Sequence, residues 1–223
     1  MEFQRGHEYS GYFFTFEGGE GVGKSKQIEL LADQLRSQGN SVLVLREPGG
    51  TAVGEQIRHT LQYSKQSVDM CPGAELMLFE ASRAQLVHEI IKPALSKGGI
   101  VLSDRFYDSS TAYQGAGRKL DSVAVNFMNW FATGGLKPDL TFLIDLDPRV
   151  GMARAKGREL FDRMEAQTLD FYDRVRREFD KIAYDDPLRV KKIDGAQSIE
   201  EIHREIVGYV SDFMSNTPEY APG

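Results

Sequence analysis

The chain has 223 residues, of which 41% are hydrophobic and 27% are charged. This is the balance of a globular protein large enough to bury one full core. Its 27 basic and 33 acidic residues leave a formal net charge of −6, which argues against a surface that coats nucleic acid.

The sequence also indicates where the protein works. A single cysteine, Cys71, excludes an internal disulfide and favours a reducing compartment. Residues 1–10 lack the apolar run of a secretory signal, and no apolar stretch has the length that a membrane span requires. We therefore predict a cytoplasmic protein that binds neither membrane nor nucleic acid.

A glycine-rich segment follows the first predicted strand, residues 12–16, and precedes a helix with apolar residues at helical spacing. The segment matches the phosphate-binding loop G-x-x-x-x-G-K-[ST]. Glycines let backbone N–H groups approach an anion, and the helix N-terminus adds partial positive charge. We expect Lys24 to reach the β- and γ-phosphates of a nucleotide and Ser25 to bind Mg²⁺. The predicted nucleotide-binding residues are Gly18, Gly19, Glu20, Gly21, Val22, Gly23, Lys24 and Ser25.

Strands and helices alternate along the rest of the chain. The further predicted strands are 42–45, expected to be buried, 100–103, 140–144 and a weaker one at 190–193. The predicted helices are 54–61, 72–97 with a kink at Pro93, 121–133, one after Pro148, and a last one opened by the capping box of Ser198 and Glu201. The last helix is expected to bury Ile199, Ile202, Ile206 and Phe213.

This alternation predicts an α/β fold in which a five-stranded parallel sheet is flanked by helices on both faces, as in the three-layer sandwich of P-loop NTPases. Without repeats or linkers, residues 1–223 are expected to form one domain. In such a sheet a ligand lies beyond the carboxyl ends of the strands. Asp104 ends the third strand, from which its carboxylate can bind Mg²⁺ together with Ser25. Arg58, Arg83 and Arg105 suggest a second anion site.

Four segments in order along the chain resemble the thymidylate (dTMP) kinase family, and more narrowly its bacterial branch. They are the phosphate loop, Arg46-Glu47-Pro48-Gly49-Gly50-Thr51, Phe79-Glu80-Ala81-Ser82-Arg83, and Asp104-Arg105-Phe106 with Tyr113-Gln114-Gly115. The resemblance extends from about Phe13 to the last helix. It implies transfer of the ATP γ-phosphoryl group to dTMP, giving dTDP and ADP, with Mg²⁺ as cofactor.

The resemblance also implies roles for individual residues. Arg58 and Arg105 would hold the dTMP phosphate, and Arg105 would also act in catalysis with Lys24 and Asp104. Phe79 would stack on thymine, while Arg83 would bond its O4 atom. Tyr113 would crowd the 2′ position of the sugar, and Glu20 would lie near its 3′-hydroxyl. The full set implied for dTMP binding is Glu20, Glu47, Pro48, Arg58, Phe79, Arg83, Arg105, Ser110, Tyr113 and Gln114.

A basic lid is expected at about residues 153–165, because family members place such a segment after the fourth strand. Arg163, beside Asp162, is predicted to supply catalytic charge to the transferred phosphoryl group. Arg154 and Arg158 are both candidates for a contact with ATP, and the altered spacing of this segment leaves the choice between them open.

Three other functions compete with dTMP phosphorylation. A kinase for another nucleoside monophosphate, such as dUMP or a purine nucleotide, would use the same loop. A nucleotide-dependent switch would need a guanine-reading Asn-Lys-x-Asp motif, which the sequence lacks. A binding module without catalysis conflicts with the presence of Lys24, Ser25 and Asp104.

The family resemblance further implies a homodimer. The predicted helix 73–95 carries apolar residues spread more widely than one core face requires, so we expect it to pack against its copy in a second subunit. These residues are Leu76, Phe79, Leu86, Val87 and Ile90.

Overall fold

A computed structural model describes residues 5–63, 69–155 and 167–217. Five strands form one sheet in the order β2-β3-β1-β4-β5, and every neighbouring pair is parallel. The strands are β1 (Tyr12–Glu17), β2 (Val42–Arg46), β3 (Ile100–Asp104), β4 (Leu140–Asp145) and β5 (Val190–Asp194). The predicted five-stranded parallel α/β sheet is therefore confirmed.

Helices connect successive strands, as expected for a doubly wound parallel sheet. In the described ranges they are α1 (Lys24–Ser37), α2 (Ala52–Gln62), α3 (Pro72–Leu86), α4 (Lys92–Ser96), α5 (Tyr107–Ser110), α6 (Ser122–Thr133), α7 (Pro148–Ala155), α8 (Leu169–Asp185) and α9 (Ile199–Asn216). π-helical segments Val87–Ile91 and Thr111–Gly117 continue α3 and α5. Among the helices of the described ranges, none combines the length and hydrophobicity needed to cross a bilayer.

The core lies on both faces of the sheet. Because side chains alternate along a strand, Phe14 and Phe16 pack toward α1 and α9, whereas Phe13 packs toward the end of α3 and the segment after it. A third cluster joins β4 to α8 around Phe171, Val175 and the ring of Tyr113. Helices thus cover both faces, which is the three-layer arrangement expected from the sequence.

Several local predictions fit the structure and two are wrong. Asp121 caps α6 by accepting from Ala124 N, and Ser198 and Glu201 form the expected capping box of α9. Ile199, however, is 48% exposed, because it stands at the first position of α9, before the helix meets the sheet. Strand β2 is not fully buried either: it pairs only with β3, and Val44 is exposed at this edge.

Candidate active site

The phosphate loop runs from the end of β1 to the start of α1, where the sequence places it. Gly18 and Gly23 have φ angles of 131° and 99°, in the region that favours glycine. A Cβ atom on Gly18 would also lie 2.4 Å from the carbonyl oxygen of Ile144. These two positions explain why the loop needs its framing glycines.

Lys24 is buried at the first turn of α1 and folds back over the loop. Its Nζ donates to the carbonyl oxygens of Gly18, at 3.2 Å, and Gly19, at 2.7 Å. Burial lowers the pKa of Lys24, and so does the nearby Arg105 guanidinium, while the carboxylates of Asp104 and Glu20 oppose the change. An anion in the loop would offer this ammonium group better partners than two backbone carbonyls.

Ser25 and Asp104 meet although they are far apart in sequence. Phe16 pairs with Asp104 across β1 and β3, which brings the carboxylate to the edge where the loop begins. Ser25 Oγ donates to Asp104 Oδ2 at 3.0 Å. Two adjacent oxygen ligands of this kind fit Mg²⁺, which typically takes few protein ligands and completes its shell with water and phosphate. Among the described residues, no group of three or more aspartate, glutamate, histidine or cysteine side chains is placed to bind a metal ion.

A second pocket opens beside the loop, between Glu20 of that loop, the turn after β2, α2, α3 and the segment after β3. Eight of its lining residues belong to the predicted set or to the phosphate loop, and two, Gln62 and Ser109, were not predicted. The lining residues are Glu20, Glu47, Pro48, Gln62, Phe79, Arg105, Ser109, Ser110, Tyr113 and Gln114. The structure therefore brings together side chains from five separate stretches of sequence.

Arg105 joins the two sites. Its Nη1 donates to the carbonyl oxygen of Gly18 at 3.0 Å, and its Nη2 donates to Glu20 Oε1 at 2.5 Å. The guanidinium carbon lies 5.0 Å from the centre of the Tyr113 ring. The same cation thus touches the phosphate loop and lines the second pocket.

Polar groups at the far end of the second pocket are oriented by neighbours outside it. Gln114 Nε2 donates to Glu75 Oε1 at 2.9 Å, so the side-chain carbonyl oxygen of Gln114 points away from Glu75. Glu75 is itself held by Arg118, at 3.1 Å to each carboxylate oxygen. A fixed amide acceptor of this kind suits the N–H edge of a pyrimidine.

Arg83 lies behind the pocket wall and is not one of its lining residues. It is 1% exposed and forms ion pairs with Glu47, at 2.8 Å, and Glu80, at 2.5 Å. Its Nη1 also donates to Ser110 Oγ at 3.0 Å. Burial raises the pKa of Glu47 to about 7, and the Arg83 cation works against this rise. Arg83 is thus linked to the pocket through Glu47 and Ser110, which line it.

The remaining predicted cations lie farther from the pocket or outside the described residues. Arg58 Nη1 donates to the carbonyl oxygen of Pro48 at 2.9 Å, next to the pocket rim. Arg154 is exposed at the end of α7 and donates to the carbonyl oxygen of Gly195 at 3.2 Å. Arg158 and Arg163, with most of the predicted lid, fall in residues 156–166, which lie outside the described ranges.

Two pocket residues and one buried carboxylate were missed at the sequence level. Gln62 follows Arg58 by one helical turn on α2, so helical spacing from a predicted site residue was a usable signal. Ser109 precedes the predicted Ser110. Glu17 gave no signal, because its contacts are with Phe106 N and Ser109, about ninety positions away.

Comparison with known proteins agrees with this geometry. The family model described as thymidylate kinase matches residues 16–206. The chain is 48% identical over 200 residues to a thymidylate kinase of an Exiguobacterium species, covering 90% of this chain and 94% of that one. It is equally 48% identical over 200 residues to a thymidylate kinase of Carboxydothermus hydrogenoformans, covering 90% and 97%.

A solved structure supports the same assignment. The thymidylate kinase of Ehrlichia chaffeensis superposes with a TM-score of 0.73 at 35% identity, over 90% of this chain and 98% of that chain. Sequence and fold therefore agree over nearly the whole length of both proteins. The chain belongs to the thymidylate kinase family.

Proposed function

We propose that the protein transfers the γ-phosphoryl group of ATP to dTMP, giving dTDP and ADP. The observation that carries this proposal is the position of Arg105, which donates to Gly18 of the phosphate loop and also lines the neighbouring pocket. A phosphoryl donor and a phosphorylated acceptor held on either side of this cation would have their reacting groups adjacent. Such proximity is the main requirement of phosphoryl transfer.

On the donor side, the backbone of the loop and Lys24 would bind the ATP phosphates. Ser25 and Asp104 would hold Mg²⁺, whose bound charge neutralises the phosphate oxygens of ATP. Lys24 would exchange its two carbonyl partners for phosphate oxygens. Its burial makes that interaction stronger than the same contact in water.

On the acceptor side, Arg105 and Arg58 would hold the dTMP phosphate and Phe79 would stack on thymine. Gln114, oriented by Glu75, would accept from the base N3–H group, with Ser110 as a second polar contact. Tyr113 and Glu20 would face the sugar, and Glu47 with Pro48 would form the wall. Arg83 remains a proposed partner of the base carbonyl, reached directly or through Ser110, to which it donates.

Lid arginines complete the proposed site. Charge that develops on the transferred phosphoryl oxygens needs cations beyond Lys24 and Arg105. Arg163 is the proposed catalytic donor, and Arg154 or Arg158 the proposed contact with ATP. In this role Arg154 would exchange its contact with the carbonyl oxygen of Gly195 for phosphate oxygens.

We further propose one domain over residues 1–223, which a family model spanning residues 16–206 supports, and a cytoplasmic location, which suits a lone, exposed Cys71. The protein is also proposed to be a homodimer. The interface predicted on helix 73–95 needs correction, because Leu76, Leu86 and Val87 are buried in the chain's own core. In that helix the large apolar side chain exposed is Met77, whereas α6 exposes four, which are Val123, Phe127, Trp130 and Phe131.

The proposed function is tested by following ADP release from Mg-ATP in the presence and absence of dTMP. We expect release that depends on dTMP and yields dTDP. Lys24→Ala should lower kcat by roughly a hundred- to a thousandfold while circular dichroism shows an intact fold. Absence of dTDP, or turnover in Lys24→Ala near that of the parent protein, would contradict the proposal.

A further inference from the structure

A buried carboxylate ties the end of β1 to the segment that carries Arg105. Glu17 has no exposed surface. Its Oε1 accepts from Phe106 N at 2.8 Å and from Ser109 N at 3.3 Å, and its Oε2 accepts from Ser109 Oγ at 2.6 Å. Three donors from one turn of chain therefore converge on a single side chain that lies outside the second pocket.

The hydroxyl of Ser109 continues this connection to the guanidinium group. Ser109 Oγ donates its only hydrogen to Glu17, so it can only accept from Arg105 Nη1, which lies 3.1 Å away. An ionised Glu17 thus fixes the direction of the Ser109 hydroxyl. In this orientation a lone pair of Ser109 Oγ is left to accept from Arg105 Nη1.

Arg105 requires such support because its backbone is strained. Its φ angle is 72°, in the left-handed region that residues other than glycine rarely adopt. Strain of this kind persists only when surrounding contacts hold it in place. Those contacts include Arg105 N to the carbonyl oxygen of Phe16, at 3.0 Å, and Ser103 Oγ to the Arg105 carbonyl oxygen, at 2.8 Å. Glu17 fixes the next peptide group through Phe106 N.

We infer that Glu17 is a positioning residue for Arg105, acting through Ser109 and through the backbone of residues 106–109. The inference rests on the proposed phosphorylation of dTMP, in which Arg105 touches the acceptor phosphate. Glu17 itself does not line the acceptor pocket. Its contribution is to hold the guanidinium between the two substrates, so its loss should weaken dTMP binding and slow transfer together, with little effect on ATP.

Two conservative variants test this role. Glu17→Gln keeps the shape but replaces one acceptor with a donor, and Ser109→Ala removes the bridging hydroxyl of a residue that also lines the pocket. Each should lower kcat/KM for dTMP by about tenfold or more, the usual effect of losing a hydrogen bond to a charged group, with the ATP KM changed by less than about twofold. Calorimetry with dTMP alone should show the weaker binding independently of turnover.

A double-mutant cycle separates positioning from general stabilisation. If Glu17 acts through Arg105, adding Glu17→Gln to Arg105→Ala should lower kcat/KM for dTMP by less than about a further twofold, because the guanidinium that Glu17 positions is already gone. Additive losses in the double variant would overturn the inference. So would Glu17→Gln and Ser109→Ala proteins that keep the parent kcat and dTMP KM.

Asp139→Asn provides a matched control. Asp139 is also a buried carboxylate that accepts from two backbone N–H groups, those of Gly6 and Phe13, but it lies at the opposite end of β1. The Asp139→Asn variant should have a lower melting temperature than the parent protein but the same dTMP KM. A parent protein that forms no dTDP would overturn the proposed function and this inference together, whereas normal parent turnover with unaffected variants would overturn the inference alone.

Discussion

Burial governs the charged side chains around the phosphate loop. Lys24, Glu17 and Glu47 are all buried, and in each case loss of water is the largest influence on the pKa, lowering it for the lysine and raising it for the two carboxyls. Specific partners oppose this effect and favour the charged form, as Arg83 does for Glu47. A substrate that brings phosphate groups into this region enters an environment in which charge interactions are strong.

The contribution of Glu17 to stability should fall as the pH rises from about 4.5 to about 7. Burial, assisted by Asp108, raises the pKa of Glu17 to about 7, from 4.5 in the unfolded chain. The folded protein therefore binds more protons than the unfolded chain across this window, so the stabilisation is complete below pH 4.5 and is lost by pH 7. The contribution of one such group changes by at most about 1.4 kcal/mol per pH unit. Urea unfolding at several pH values gives the free energy of unfolding as a function of pH. Between about pH 4.5 and about pH 7 this free energy should fall less steeply in Glu17→Gln than in the parent protein. An identical dependence on pH in the two proteins would contradict the raised pKa of Glu17.

Arg83→Ala should act first on stability. Removing the guanidinium leaves Glu47 and Glu80 buried without their cation, and breaking a buried ion pair from one side typically costs about 3–5 kcal/mol. Chemical unfolding should show this loss at pH 7. Ser110→Ala, which removes one neutral partner of Arg83, should cost much less. A folded Arg83→Ala protein of unchanged stability would contradict the ion-pair arrangement.

Individual elements differ in how far the sequence predicts them. The caps of α6 and α9 could be predicted because each uses residues within one helical turn. The π-helical segments could not, since their extra residue per turn leaves no composition signal; Pro93 follows the first of them, just inside α4. Eight of the ten pocket residues were predicted and Gln62 and Ser109 were not, whereas the burial of Arg83 and the contacts of Glu17 depend on tertiary packing that no local pattern encodes.

The lid segment, about 153–165, gives a prediction that rests on the sequence. If Arg163 stabilises charge on the transferred phosphoryl group, Arg163→Ala should lower kcat far more than it raises the dTMP KM, because the contact forms mainly in the transition state. Arg154→Ala and Arg158→Ala, made separately, should show by the ATP KM which of the two contacts ATP. If all three variants and their combination keep the parent kcat, the lid does not supply the catalytic charge.

At the scale of the whole molecule, the most exposed apolar face described lies on α6. Phe127 and Phe131 are 61% and 73% exposed. The ring of Phe127 lies close to those of Trp130 and Phe131, so the three form one apolar surface. Contiguous apolar surface of this kind commonly marks a protein interface. A two-fold axis through this face would bury it in both copies at once.

Light scattering should therefore give a mass of about 50 kDa, twice the 25.0 kDa of one chain. Phe127→Asp combined with Phe131→Asp should yield a monomer, because two charges would have to be buried at the interface. Ile199→Asp, at an exposed apolar position on α9, is the matched control and should remain a dimer. A parent protein that is monomeric at micromolar concentration would contradict the proposal.

The central claim, that the acceptor is dTMP, is tested most directly by competition. Equal concentrations of dTMP, dUMP, dCMP, dAMP and dGMP are incubated with limiting Mg-ATP, and the diphosphate products are separated and quantified. Because competing substrates are consumed in proportion to their kcat/KM, the product ratio reports specificity without separate kinetics. Membership of the thymidylate kinase family predicts dTDP as the main product. A mixture in which another diphosphate exceeds dTDP would contradict the account.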